Sequence, residues 1–199
     1  MTSDRLAATG VPRTAMLPEE EAIRVGAEAG MPGFIARIAL FRTLLVHPPL
    51  AAPTWGLVRA LLREGDLDPG LREVVIMRVA WRTGAAYEWG QHWRVSLMVE
   101  LSEEKLAAVR DWRGSDLFSP AERAALAAVD DVLDHGAVGP ETWGVCEREF
   151  PVERDRVELV TVIGLYQMVA VLLRSLQVPL DKDLEVWPPD GRAPGEPAV

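Results

Sequence analysis

The chain has 199 residues, 49% hydrophobic and 26% charged, with 21 Lys and Arg against 30 Asp and Glu and a net charge of −9. That apolar content supports a packed core and excludes disorder as the dominant state, while the acidic balance supplies no basic face for a nucleic acid backbone or an anionic membrane. A single cysteine, Cys146, excludes an internal disulfide, dithiol redox chemistry within one chain and a cysteine-based zinc site.

Residues 1–30, punctuated by Gly10, Pro12, Pro18, Gly26 and Gly30, read as an N-terminal arm, with Glu19, Glu20 and Glu21 as a solvated helix start. No run there is apolar enough for a secretory signal, so a cytoplasmic protein is expected. Residues 31–182 read as one helical domain without strand alternation. Phe34 to Val46 forms a helix that stops at His47-Pro48-Pro49, and Pro53 to Arg63 forms the next, closed by Gly65. Asp68-Pro69 opens a third as cap and first residue, and it runs to Gly84.

A fourth helix spans about Ala86 to Glu100. Short helices or longer ones then start at Ser102 and Ser119, each with Ser as cap and acids in the first turn. Pro140 to Phe150 and Glu153 to about Gln177 complete the series. The apolar stretch Leu159 to Leu173 is roughly 15 residues, short of the ~20 that span a bilayer, and reads as a buried core helix. The Pro- and Gly-rich residues 183–199 read as a loose C-terminal tail.

The chemistry concentrates between Leu71 and Val99. Glu73 shares a helical face with Ile76, Met77 and Ala80, so it lies either at an exposed helix start or in a polar pocket. Glu88 and His92, four apart on the next helix, project from one face with Gln91 beside them. Such a pair is either a surface pair or half of a proton-transfer site. Trp89 and Trp93 on the adjoining face either wall off solvent or pack the core. The tight Thr83-Gly84-Ala85 connection makes the two helices antiparallel, which leaves the register of Glu73 against Glu88 open. Two carboxyls and an imidazole around an apolar pocket would form a site for moving protons. His47 and His135 read as helix-end residues, Cys146 as a packing residue, and Arg78 and Arg82, opposite Glu73, as structural pairing partners or contacts with another subunit.

LREVVIMRVAWRTGAAYEWGQH, FSPAERAALAAVDDVLDHG and VELVTVIGLYQMVAVLLRSLQVPL together resemble the carboxymuconolactone decarboxylase family, related to alkylhydroperoxidase D, over about residues 30–182. The alkylhydroperoxidase branch has a Glu, two cysteines three apart with a His just before the second, and a further His. These fall at Glu73, Ala85, Glu88, Tyr87 and His92, so both sulfurs are absent. The decarboxylase branch keeps E-W-x-x-H, here Glu88-Trp89-Gly90-Gln91-His92. In the last helix, relatives carry Asn after the aromatic residue where this chain has Gln167.

The resemblance implies an all-α, cofactor-free bundle with no sheet and no metal, assembled as a homotrimer or homohexamer around a small-molecule substrate. It implies Glu73, Glu88 and His92 as catalytic residues and Tyr87, Trp89, Gln91 and Tyr166 as substrate contacts. The reaction implied is acid/base work on a small organic acid or lactone, with decarboxylation first. Isomerisation, cyclisation or hydrolysis in the same pocket, a residual peroxidase using Cys146, and a non-catalytic ligand-binding protein are the alternatives.

Overall fold

The structure is a computed structural model and describes residues 11–195. Every regular element among the described residues is helical, with no strand. In chain order these are α1 (Glu19–Glu28), α2 (Gly33–Ala36), α3 (Ala39–Leu44), α4 (Pro48–Arg59, running on through a π-turn, Ala60–Glu64) and α5 (Pro69–Thr83). Then follow α6 (Ala86–Met98), α7 (Glu103–Ala108, with a 3-10 segment, Val109–Gly114), α8 (Pro120–His135), α9 (Pro140–Glu149) and α10 (Glu153–Leu176). The described residues divide into two compact units, 11–64 with 171–184 and 65–170 with 185–195.

In the first unit the expected helix from Phe34 to Val46 is two helices. Ile38 is extended (φ −67°, ψ 135°) and caps α3 from outside the helix. The amide of Ala39 donates to Asp181 Oδ1 at 2.8 Å, so a distant carboxylate replaces the local cap and permits the break. α3 ends at Leu44, and His47-Pro48 caps and opens α4, five residues before the expected start at Pro53, because Pro at the first helical position lacks an N–H that the first turn leaves unused anyway. At Gly26 an added Cβ would fall 2.7 Å from the Ala36 Cβ, so α1 and α2 close on each other only with glycine there.

The second unit is built around α5. Asp68 accepts from the Leu71 amide at 2.9 Å, Pro69 follows, and Gly84 ends the helix in the left-handed region (φ 69°). Every residue from Leu71 to Ala80 is buried, charged ones included. A core of Val74, Met77, Trp89, Trp93, Leu106, Trp112, Leu126 and Trp187 surrounds it. The structure therefore decides the Trp89 and Trp93 alternatives for core packing.

The polar side of α5 is met by α8. Arg78 donates to both Asp130 oxygens, Arg82 to Asp130 and Asp134, and Trp112 Nε1 to Asp130. Burial works against the Asp130 anion, but Arg78 and these donors outweigh it and hold the carboxyl below its usual range. Arg78 and Arg82 are thus structural pairing partners.

The C-terminal segment is not loose throughout. Trp187 is 7% exposed and joins the core, against the expectation from Pro and Gly content. Its indole meets Trp81 edge-on with centroids 5.7 Å apart and lies tilted against Trp89 at 5.9 Å, and burial of that surface outweighs chain entropy. The long helix α10 is a core helix on one face only. Leu159, Val162, Ile163 and Tyr166 are buried, while Val157, Val160 and Met168 are exposed. By length and composition alone α10 suffices to cross a membrane, and 44% of its most apolar window is buried within the fold.

Candidate active site

Three helices of the second unit supply the site. Glu73 comes from the second turn of α5, where the helix is already enclosed, and is 0% exposed. The tight Gly84 turn sends α6 back along α5, and His92 arrives opposite Glu73. Its Nδ1 donates to Glu73 Oε2 at 2.7 Å. The 19-residue separation of this pair is closed by the hairpin, resolving the open register in favour of a Glu73–His92 contact. With Nδ1 committed to the carboxylate, Nε2 is the nitrogen left to take or give a proton.

Tyr166 of α10 covers the pair. Its ring meets the imidazole edge-on with centroids 4.9 Å apart. Burial raises the phenol well above its ordinary value, and the nearby Glu73 and Glu88 carboxyls add to this while Arg72 opposes. The phenol therefore stays protonated and acts as a hydrogen-bond donor.

Glu88, one turn before His92 on α6, is 2% exposed, and neither carboxyl oxygen has a hydrogen-bond partner among the described residues. Desolvation raises its carboxyl well above the ordinary value, so it is held as the acid. A carboxyl whose pKa is raised in this way is chemically able to donate a proton. His92, with its side chain 13% exposed, is the one of the three that reaches water.

The other sequence candidates are placed as follows. Trp89 is fully buried within the tryptophan cluster and donates from Nε1 to the Pro188 carbonyl at 2.9 Å. Tyr87 is buried and Gln91 half-buried on α6, and Gln167 is half-buried on α10. Cys146 lies on α9, 1% exposed, with its thiol directed at the Ala124 carbonyl. Burial first, and then Asp131, push that thiol up.

Sequence reasoning missed Arg72. It is 6% exposed, and its Nε lies 3.8 Å from Glu73 Oε1. The signal was present: two adjacent charged residues, Arg72-Glu73, inside the run LREVVIM, whose other residues are apolar and buried. Among the described residues no group of three His, Cys, Asp or Glu is arranged to hold a metal ion.

Comparison with known proteins bears on this geometry. The carboxymuconolactone decarboxylase family model matches residues 48–131, which include α5 and α6. The fold is similar to the alkylhydroperoxidase AhpD core of an uncharacterized peroxidase-related protein from Ralstonia eutropha, with a TM-score of 0.69 at 16% identity, over 87% of this chain and 94% of that one. The debrominase Bmp8, in complex with 2,3,4-tribromopyrrole, matches with a TM-score of 0.67 at 17% identity, over 86% of this chain and 95% of that one. A peroxidase-related protein from Silicibacter matches with a TM-score of 0.65 at 15% identity, over 92% and 97% of the two chains. No curated protein matches significantly. Residues 48–131 thus match the carboxymuconolactone decarboxylase family model, on an all-α fold similar to that of the alkylhydroperoxidase D structures.

Proposed function

We propose that the chain is a thiol-free acid/base enzyme that decarboxylates a small organic acid or lactone and returns a proton to carbon. The observation that carries this is the buried Glu88 carboxyl, held as an acid one helical turn from an imidazole that Glu73 orients at 2.7 Å. Loss of CO2 from a substrate leaves the bonding pair as an enolate. Tyr166, a donor that does not ionise at neutral pH, stabilises the enolate oxygen. Glu88 gives its proton to the carbon and becomes a carboxylate. His92, at the edge of the site, restores that proton from water through Nε2, and Glu73 keeps the ring in the required orientation.

The Cys146 peroxidase reading finds no support in this arrangement, because a buried thiol pushed up in pKa forms little thiolate. The reading carries with it the homotrimer or homohexamer that the resemblance implies and the cytoplasmic location expected from the sequence. The exposed apolar Val157, Val160 and Met168 on α10 are compatible with such an assembly.

Replacing Glu88 by Gln and His92 by Ala in separate variants tests the chemistry. Each is expected to lower kcat about 10²–10⁴-fold while the helical circular dichroism is kept. Wild-type turnover in both folded variants refutes the assignment.

A further inference from the structure

A second concave feature lies on the other side of α6 and does not depend on the acid/base reading. Gly90, Trp93, Arg94 and Leu97 recur at three- and four-residue intervals, so they form one stripe of that helix. At about 100° per residue the stripe faces away from Glu88 and His92. With Glu103 from the start of α7, and Glu185 and Pro188 from the C-terminal segment, it lines a cavity of about 220 Å³ within the second unit. Gly90 leaves its part of the wall without a side chain, and Trp93, Leu97 and Pro188 make other parts apolar. Trp93 is 5% exposed, and its Nε1 has no acceptor among the described residues. That nitrogen is not one of the fully enclosed unpartnered atoms, so its open side is the cavity that the indole lines. The side chains of Arg94, Glu103 and Glu185 are exposed and make no ion pair or hydrogen bond among the described residues.

We propose that this cavity binds a small zwitterionic amino acid: the Trp93 N–H and the Arg94 guanidinium take its carboxylate, Glu103 and Glu185 its ammonium, and the Trp93 ring, Leu97 and Pro188 its apolar side chain. The donor and acceptor inventory selects this class. An indole N–H and a guanidinium only donate, so they need an acceptor that a simple ammonium ion lacks. Two carboxylates only accept, so they need a positively charged donor that a simple organic anion lacks, and they repel that anion. A zwitterion answers both sets at once. The volume lies below the ~300 Å³ at which pockets for drug-sized ligands begin, which limits the occupant to amino-acid size. The Trp93 ring is already held against Trp89, with centroids 5.8 Å apart, so binding costs it little further side-chain freedom.

Calorimetric titration of the full chain at pH 7 with L-leucine, L-leucinamide and 4-methylpentanoate tests this, because the three share one apolar side chain and differ only in their charged groups. Wild-type protein is expected to bind L-leucine at least tenfold more tightly than either analogue. Arg94→Gln should bring L-leucine down to the level of L-leucinamide, and the double variant Glu103→Gln/Glu185→Gln should bring it down to that of 4-methylpentanoate. All three substitutions fall on exposed side chains, so circular dichroism should stay that of the wild type. Glu88→Gln, on the other face of α6, should bind L-leucine as the wild type does. A wild type that binds L-leucine no more tightly than the analogues, or not at all, overturns the inference. So does retention of the full preference in Arg94→Gln or in the double variant. Loss of L-leucine binding in Glu88→Gln also overturns it, since the ligand would then occupy the acid/base site instead.

Discussion

Glu88 carries a thermodynamic signature that a surface glutamate lacks. Both of its oxygens are buried without a hydrogen-bond partner among the described residues, and desolvation raises its carboxyl well above the ordinary value. In the unfolded chain the same carboxyl titrates near 4.3. Below that pH both states hold the proton, and the stability that Glu88 confers is fully present. As pH rises, the unfolded chain releases the proton first, so folding stability declines with pH until the raised folded value is passed, at up to about 1.4 kcal/mol per pH unit for one proton. Glu88→Gln has no proton to lose. Urea denaturation at pH 5 and pH 8 should show the variant gaining stability relative to wild type at the higher pH. Parallel pH dependence of the two proteins would mean that Glu88 is ionised in the folded state, and the general-acid role would fall with it.

At the scale of elements, what could be read from the sequence follows how local the cause is. The ends of α5 were legible because Asp68, Pro69 and Gly84 act on the backbone within a few residues of themselves. The start of α8 was legible for the same reason: Ser119 and Glu122 cap each other's backbone amides. The break between α2 and α3 was not legible, because its cap, Asp181, lies 142 residues away from Ala39 in the chain. The site divides along the same line. Glu88 and His92 share a face by helical period alone, while the Glu73–His92 contact depends on a hairpin register that spacing does not fix. Arg72 escaped notice because an arginine at a helix start reads as surface until the whole of α5 is seen to be enclosed. The remote cap yields its own prediction. Asp181→Ala should cost about 1 kcal/mol in urea denaturation through loss of the α3 cap, and Asp181→Asn, which keeps an acceptor, should cost less. Equal costs for the two variants would show that the negative charge, not the hydrogen bond, matters there.

At the scale of the whole molecule, the second unit is closed by chain that composition alone marks as dispensable. Trp187 lies against Trp81 and Trp89, and the Pro188 carbonyl accepts from Trp89 Nε1 and from Arg110. The Arg110 guanidinium sits over the rings of Trp81 and Trp89, at 5.0 and 5.1 Å, and donates to Asp190. Those hydrogen bonds, with the Arg192 amide, lower the Asp190 carboxyl to about 2. The stability from that pair is present above the ordinary carboxylate range and is lost as pH falls through about 2, so it persists at neutral pH. Asp190 is however half-exposed, and solvent reduces an ion pair of this kind to about 1 kcal/mol or less. The buried indole is the larger contribution. Trp187→Ala should cost about 3–5 kcal/mol and shift tryptophan emission to the red, because Trp81 and Trp89 lose their cover. Asp190→Asn should cost under about 1 kcal/mol and leave the emission in place. Chemical denaturation followed by fluorescence compares the two directly. An Asp190→Asn cost as large as that of Trp187→Ala would mean that charge, not apolar burial, fastens the segment, and acid near pH 2 should then release it before the helices unfold.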